Sequence, residues 1–279
     1  EGDSYTLDFT SGFINDFAGN FATTDLLSNG SISYSDTTAP TVTRFSSITA
    51  DGSYKLGASI NIRATLSEAV IAGSSLDVTL STNDTVTLTV GLVGTELNGT
   101  YIVGAGDNSS DLTVSSFTKG SVKDKAGNSM ISTTLPVNAN LANQSAIVID
   151  TTVPTTTLTS VVFDSSTNKL IVTGTNLDAL GVSMGSDIKS LQLFDWSKFV
   201  WDINGDNETT ANKIFIENNI ASVVVTNATT LTITLTELAK DELLATNGFG
   251  FEGEADTLDV TAGFIKDFAG NFATTDGLS

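Results

Sequence analysis

Side-chain oxygens at alternate positions mark Asp202-Ile203-Asn204-Gly205-Asp206-Asn207-Glu208 as a stretch that can hold a hard cation. Asp202, Asn204, Asp206 and Glu208 would all point their oxygens into one tight loop. Calcium takes about six to eight oxygens at roughly 2.3–2.6 Å and tolerates irregular geometry. The spacing begins like an EF-hand loop and then departs from it. Asn207 stands at the sixth position, where glycine makes the sharp turn, and Lys213 at the twelfth, where a bidentate glutamate closes the shell. The loop is a candidate calcium site outside the EF-hand pattern. The plainer alternative is an acidic turn held by Asx hydrogen bonds.

A second set of carboxylates lies in turns that recur along the chain. Asp16-Phe17-Ala18-Gly19-Asn20 returns as Asp124-Lys125-Ala126-Gly127-Asn128 and as Asp267-Phe268-Ala269-Gly270-Asn271. Gly supplies positive φ, and Asp and Asn bond their own backbone, so this composition is a turn. Asp36-Thr37-Thr38-Ala39-Pro40-Thr41 and Asp150-Thr151-Thr152-Val153-Pro154-Thr155 are paired linker signals, stiffened by proline. Asp16, Asp36 and Asp107, with Glu68 near the end of a strand, are expected to converge at one pole of a domain. Asp124 and Asp150 would serve the next joint, and Asp267 the one after. A divalent cation bridging such groups would lock neighbouring domains together. The alternative for each Asp-x-Ala-Gly-Asn is a structural turn whose Asp and Asn satisfy backbone groups only.

The elements that must carry these turns follow from repeats and periodicity. Residues 1–28 align without a gap with residues 252–279, and 21 of 28 positions are identical, a period of 251 residues. Such a period fits a pair of domains repeated as a unit. The chain reads as a window on a longer array, and the residues after Ser279 are expected to resemble those from Asn29 to Asp36. Three regions are expected. Residues 1–36 form the C-terminal piece of a preceding domain copy, with strands at Tyr5–Phe9 and Ser31–Ser35. Residues 37–150 form an immunoglobulin-like β-sandwich. Residues 151–279 form a larger sandwich whose last strand is missing, with an insertion at 176–222. Ile60-Asn61-Ile62-Arg63-Ala64-Thr65-Leu66 alternates apolar and polar, the pattern of a half-buried strand. About seven such strands, with turns every 8–12 residues, argue for the sandwich. Leu158–Phe163 and Lys169–Thr173 read as a hairpin, and Val223–Val225 pairs with Leu231–Leu235 around Asn227-Ala228-Thr229. Thr236 is placed to cap a short helix through about Ala245.

Composition narrows function. Ser and Thr make up about a quarter of the chain, and the fold class is all-β. Net charge is −20, from 12 basic and 32 acidic residues, so nucleic acid is a poor partner. Without Cys or His there is no disulfide, no thiolate or imidazole metal site, and no Ser-His or Cys-His nucleophile. No apolar run is long enough to suggest a membrane helix, and no carboxylate pair stands out as catalytic. The expectation is a protein that is not an enzyme. Trp196, Phe199 and Trp201 either pack the core of the insertion or form a platform on which a sugar stacks.

The Asp-Thr-Thr-Ala-Pro-Thr linker, the strand ending Ser67-Glu68-Ala69-Val70, Val103-Gly104-Ala105-Gly106-Asp107 and the terminal Asp-x-Ala-Gly-Asn resemble bacterial immunoglobulin-like repeats of very large surface proteins. Calcium-dependent adhesins and S-layer or sheath-type proteins carry such modules. The resemblance covers residues 37–150 well. For residues 151–279 it rests on the linker and on Asp267 to Asn271. It implies tandem domains, secretion to the cell surface, neighbouring repeats or identical subunits as partners, and Ca2+ at Asp36, Glu68, Asp107, Asp124 and Asp150. The function so implied is a calcium-stiffened rod, fibre or surface layer. A glycan-binding module is the alternative: exposure of Trp196 and Trp201 would favour it, and burial of both would argue against it.

Overall fold

The computed structural model describes residues 5–9, 18, 20, 27–32, 36–202, 213–214, 217–246, 249 and 257–278. In chain order the strands are β1 (Tyr5–Phe9), β2 (Leu27–Ile32), β3 (Val42–Ser46), β4 (Gly52–Tyr54), β5 (Ser59–Val70), β6 (Ser75–Leu80), β7 (Thr85–Thr89), β8 (Gly94–Ile102), β9 (Asn108–Ser109), β10 (Val114–Phe117) and β11 (Ile147–Asp150). They are followed by β12 (Thr157–Asp164), β13 (Lys169–Thr175), β14 (Phe199–Asp202), β15 (Lys213–Ile214), β16 (Ile220–Asn227), β17 (Thr230–Leu235), the helix α1 (Glu237–Leu244) and β18 (Thr257–Val260). The described residues form strands in several sheets, with one short α-helix and a few 3₁₀ turns. Two compact units divide the chain. The first holds residues 1–51, 59–102 and 111–146; the second holds 52–58, 103–110 and 147–279.

The first unit is organised on a six-stranded sheet of order β10-β6-β7-β8-β5-β3. Alternation in β5 buries Ile60, Ile62, Ala64 and Leu66 on one face. Leu76, Val78 and Leu80 of β6, and Val86 and Leu88 of β7, extend that face. Leu112 and Leu141 cover it, and Phe45 meets Phe117 edge-on at 5.4 Å. Each fully buried Leu or Ile of this layer contributes about 1.5–3 kcal/mol relative to exposure. Leu112 is buried from a loop, and the ladder of β10 runs from Val114 to Phe117. The turn before Val122 needs glycine, because a Cβ on Gly120 would lie 1.9 Å from the Ser75 carbonyl oxygen. β1 pairs antiparallel with β2 in a separate two-stranded sheet; residues 33–35 of the expected closing strand lie outside the described residues.

In the second unit, β12-β13-β17-β16 form a four-stranded antiparallel sheet and β15-β14-β18 a three-stranded one. They share one core. Leu170, Val172, Val223, Val225, Leu231 and Ile233 come from the first sheet, and Phe199, Trp201 and Val260 from the second. The helix closes over it with Ala239 and Leu243. Thr236 caps the helix as its sequence implies, accepting the Ala239 N–H at 3.2 Å. A third small sheet of this unit has order β4-β11-β9, with β11 parallel to β4 and antiparallel to β9.

Candidate metal centre

The Asp-x-Ala-Gly-Asn turns are built identically wherever they are described. Asp124 N–H bonds the Asn128 carbonyl at 3.1 Å, and Asp267 N–H bonds the Asn271 carbonyl at 3.1 Å. Each Asp carboxylate accepts twice from the Asn four residues on. For Asp124 the Asn128 backbone N–H reaches Oδ1 and its Nδ2 reaches Oδ2, both at 2.8 Å. For Asp267 the same pair from Asn271 lies at 2.9 Å. Gly127 and Gly270 both hold positive φ, 95° and 85°.

The asparagine does one thing more. Asn128 Nδ2 donates to the Asp36 carbonyl at 3.0 Å, across 92 residues, and Asn271 Nδ2 to the Asp150 carbonyl at 2.9 Å, across 121. Each Asp-Thr-Thr linker is thus clasped by one turn. The linker Asp folds back in turn: Thr38 N–H reaches Asp36 Oδ1 and Thr152 N–H reaches Asp150 Oδ1, both at 2.9 Å. This clasp joins Asp124 to Asp36, whereas the sequence grouped Asp124 with Asp150.

Glu68 completes the first clasp. The end of β5 holds both partners: Val70 bridges Asp124 in antiparallel fashion, and Ser67 exchanges hydrogen bonds with Thr41, at 2.9 Å from its N–H and 3.0 Å to its Oγ. Glu68 stands between these two attachments. One carboxylate oxygen each from Asp36, Glu68 and Asp124 lie within 4.8 Å of one another, and Asp124 is buried. Glu68 Oε1 is shielded from solvent and has no hydrogen-bond partner. Among the described residues no Lys or Arg pairs with the triad. Desolvation first, then the charges of Asp36 and Asp124, push the Glu68 carboxyl above its ordinary range. Desolvation also acts upward on Asp124, but the hydrogen bonds from Asn128, Gly127 and Ala126 outweigh it and hold that carboxyl low. An ionised Asp124 beside a destabilised Glu68 is a site that a divalent cation would neutralise.

The other expected ligands fall elsewhere. Asp107 caps its own loop, accepting the Gly104 N–H at 2.5 Å, and its carbonyl accepts Thr151 Oγ1 at 3.1 Å. Asp150 pairs with Asn108, next to Asp107, and is linked to Asp267 through Asn271. The described residues contain no second group of three carboxylates close enough to share an ion. Asp16 lies outside the described residues, as do Asn204, Asp206 and Glu208. Asp202 is placed only as the last residue of β14, paired with Thr257. Two polar groups escaped the sequence reading: the reach of the Asn side chains to the linkers, and the fully buried Asp276, which accepts the Gly263 and Ile265 N–H groups at 2.8 and 2.6 Å. The repeat held a signal for Asp276, which recurs as Asp25 in the N-terminal copy.

The aromatic cluster is core. Phe199 is fully buried and Trp201 is 7% exposed, so the three residues do not form one stacking platform. Of the three, Trp196 is half-buried and packs against this core.

No family model matches the chain, and no curated protein matches it.

Proposed function

We propose that this chain is a structural segment of a secreted or cell-surface tandem-repeat protein of bacterial type. In this reading its strands form immunoglobulin-like sandwiches, and Ca2+ held by Asp36, Glu68 and Asp124 stiffens the linker that Asp36 opens. The observation that carries it is Glu68 Oε1, buried and unpartnered beside two further carboxylates, with no ion pair to the triad among the described residues. A buried carboxylate without a partner is costly unless a cation completes it. Three carboxylates supply part of a calcium shell, with water filling the rest.

Three further features support a modular, mechanical role. The ends of the chain are near-copies, and the one pairing that can be compared is kept: Phe9 pairs with Leu27 in one copy, Val260 with Leu278 in the other. The linker clasp is built twice from the same residue types. The chain also lacks Cys and His, and its acidic surface suits an extracellular polymer whose partners are neighbouring repeats or identical subunits. An adhesin stalk and an S-layer or filament subunit both fit this description.

Thermal unfolding in EDTA, in millimolar Ca2+ and in Mg2+ tests the reading. At about 100-fold excess over Kd, a site present only in the native state adds roughly 2.7 kcal/mol. The wild-type chain is expected to gain stability with Ca2+, and Glu68→Gln to lose most of that gain. Asp202→Ala tests the separate loop that Asp202 opens. A Ca2+ response that survives Glu68→Gln but disappears in Asp202→Ala would move the site to that loop. Equal melting in all three buffers would remove calcium from the mechanism.

A further inference from the structure

A pocket of about 210 Å³ in the second unit is lined by Lys189, Gln192, Phe194, Trp196, Glu217 and Lys266. Two ammonium groups in one small pocket are conspicuous in a chain with 12 basic and 32 acidic residues. Lys189 is held in place, its Nζ donating to the Ile220 carbonyl at 2.6 Å, which leaves two N–H groups free to turn elsewhere. Lys266 forms no ion pair among the described residues, and neither does Glu217. Trp196 packs against Phe264 and Phe194, at 5.4 and 5.7 Å, and is half-buried.

Gln192 adds a second, independent observation. It ends a 3₁₀ turn (Lys189–Leu191) in the left-handed region, φ 53° and ψ 38°. Glycine or asparagine takes such a position at little cost, whereas glutamine does not. A strained backbone that keeps an exposed amide at a pocket rim points to use of that side chain.

We propose that this pocket binds a single acidic sugar residue, a hexuronate. The ring's apolar face would lie on Trp196. Its carboxylate would take charge-assisted hydrogen bonds from Lys266 and Lys189. Gln192 and Glu217 would bond the ring hydroxyls. The volume is below the roughly 300–1,000 Å³ of clefts that take drug-sized ligands, which sets the ligand at one ring. The site is independent of the Asp36 triad, and its fate does not depend on calcium.

Tryptophan fluorescence of the full chain, titrated with sodium glucuronate, tests the proposal, with glucose and sodium acetate as controls at matched ionic strength. The expected result is a saturable change with glucuronate and a response at least about tenfold weaker with either control, since bonds to charged groups carry much of the affinity. Trp196→Phe removes the signal while Trp201 remains. Lys266→Gln weakens glucuronate binding at least about tenfold. Gln192→Gly is the second variant: it relieves the positive φ, so it keeps or raises the melting temperature while binding falls. No saturation up to about 50 mM, a concentration at which little affinity remains to be found, overturns the proposal. So does acetate matching glucuronate, or unchanged binding in both Lys266→Gln and Gln192→Gly.

Discussion

The two linker clasps share their geometry and differ in what stands beside it. At Asp36 the neighbour is Glu68, a third carboxylate with a buried, unpartnered oxygen. At the turn that clasps Asp150 the neighbour is an ammonium: Lys55 Nζ donates to the Gly270 carbonyl at 2.9 Å and lies 5.7 Å from the centre of the Phe272 ring. The hydrogen bonds common to both occupy both oxygens of each turn carboxylate and the Asn side-chain amide without any ion. Asp-x-Ala-Gly-Asn is therefore a structural device first, which is the plainer of the two readings its sequence allowed. One added side chain, Glu68, turns one copy of that device into a candidate cation site. Beside the other copy a lysine stands instead of a third carboxylate.

The largest effect should fall on what the clasps have in common. Asn128→Ala and Asn271→Ala each remove a bond to a carboxylate and a bond to a linker carbonyl, and leave part of a half-buried or buried aspartate unpaired. The expected loss is about 2–4 kcal/mol for each, read by calorimetric unfolding of the chain in EDTA. A loss in one variant only would show that the two clasps are not equivalent. Calcium should then separate them. Asp267→Asn should leave the Ca2+-dependent gain intact, while Asp36→Asn abolishes it. A Ca2+ response lost equally in both would place a second ion at the Asp150 clasp and make the two clasps alike.

Smaller effects should again be shared. Gly127→Ala and Gly270→Ala force an L-residue to positive φ at about 1–2 kcal/mol each. The added methyl has room in both, with nothing within 4 Å at Gly127 and only Lys55 Nζ at 3.8 Å from Gly270. Equal losses would confirm that the cost is conformational. A larger loss at Gly270 would mean that displacing Lys55 adds to it. Lys55→Met tests that directly, and about 0.5–1 kcal/mol is expected for a partly exposed bond of this kind.

Much of this was legible in the sequence because it is local. Alternation placed β5, the turn residues placed both hairpins of the four-stranded sheet, and Thr236 followed by Glu237 placed the helix. The two described Asp-x-Ala-Gly-Asn turns were legible from Gly, Asp and Asn. What was not legible was pairing over distance. That Asp124 belongs with Asp36 depends on Val70 bridging Asp124 and on Ser67 meeting Thr41, contacts that no spacing encodes. Glu68 was singled out as a strand-end carboxylate, but its buried oxygen follows from the two segments that close around it. Asp276 stayed unnoticed because one buried aspartate looks like any acidic residue until its two backbone donors are placed.

The smallest effect, and the most specific to the first clasp, is the pH dependence of Glu68. Its carboxyl is raised in the folded state above an ordinary 4.5, through desolvation first and then through Asp36 and Asp124. Across the window from 4.5 up to that raised value the folded chain binds more protons than the unfolded one, so stability falls as pH rises. Asp124 acts in the opposite sense: its lowered carboxyl stabilises the fold above 3.8, and that contribution disappears as pH falls through the folded value. Without calcium, stability should therefore rise as pH falls through the raised Glu68 value toward 4.5, before Asp124 begins to protonate. With saturating Ca2+ the slope in the same window should reverse, because protons now compete with the ion. Glu68→Gln should flatten both slopes. Melting curves at several pH values, in EDTA and in Ca2+, measure this. A metal-free slope unchanged by Glu68→Gln would assign the proton to another group and return the first clasp to the purely structural role of the second.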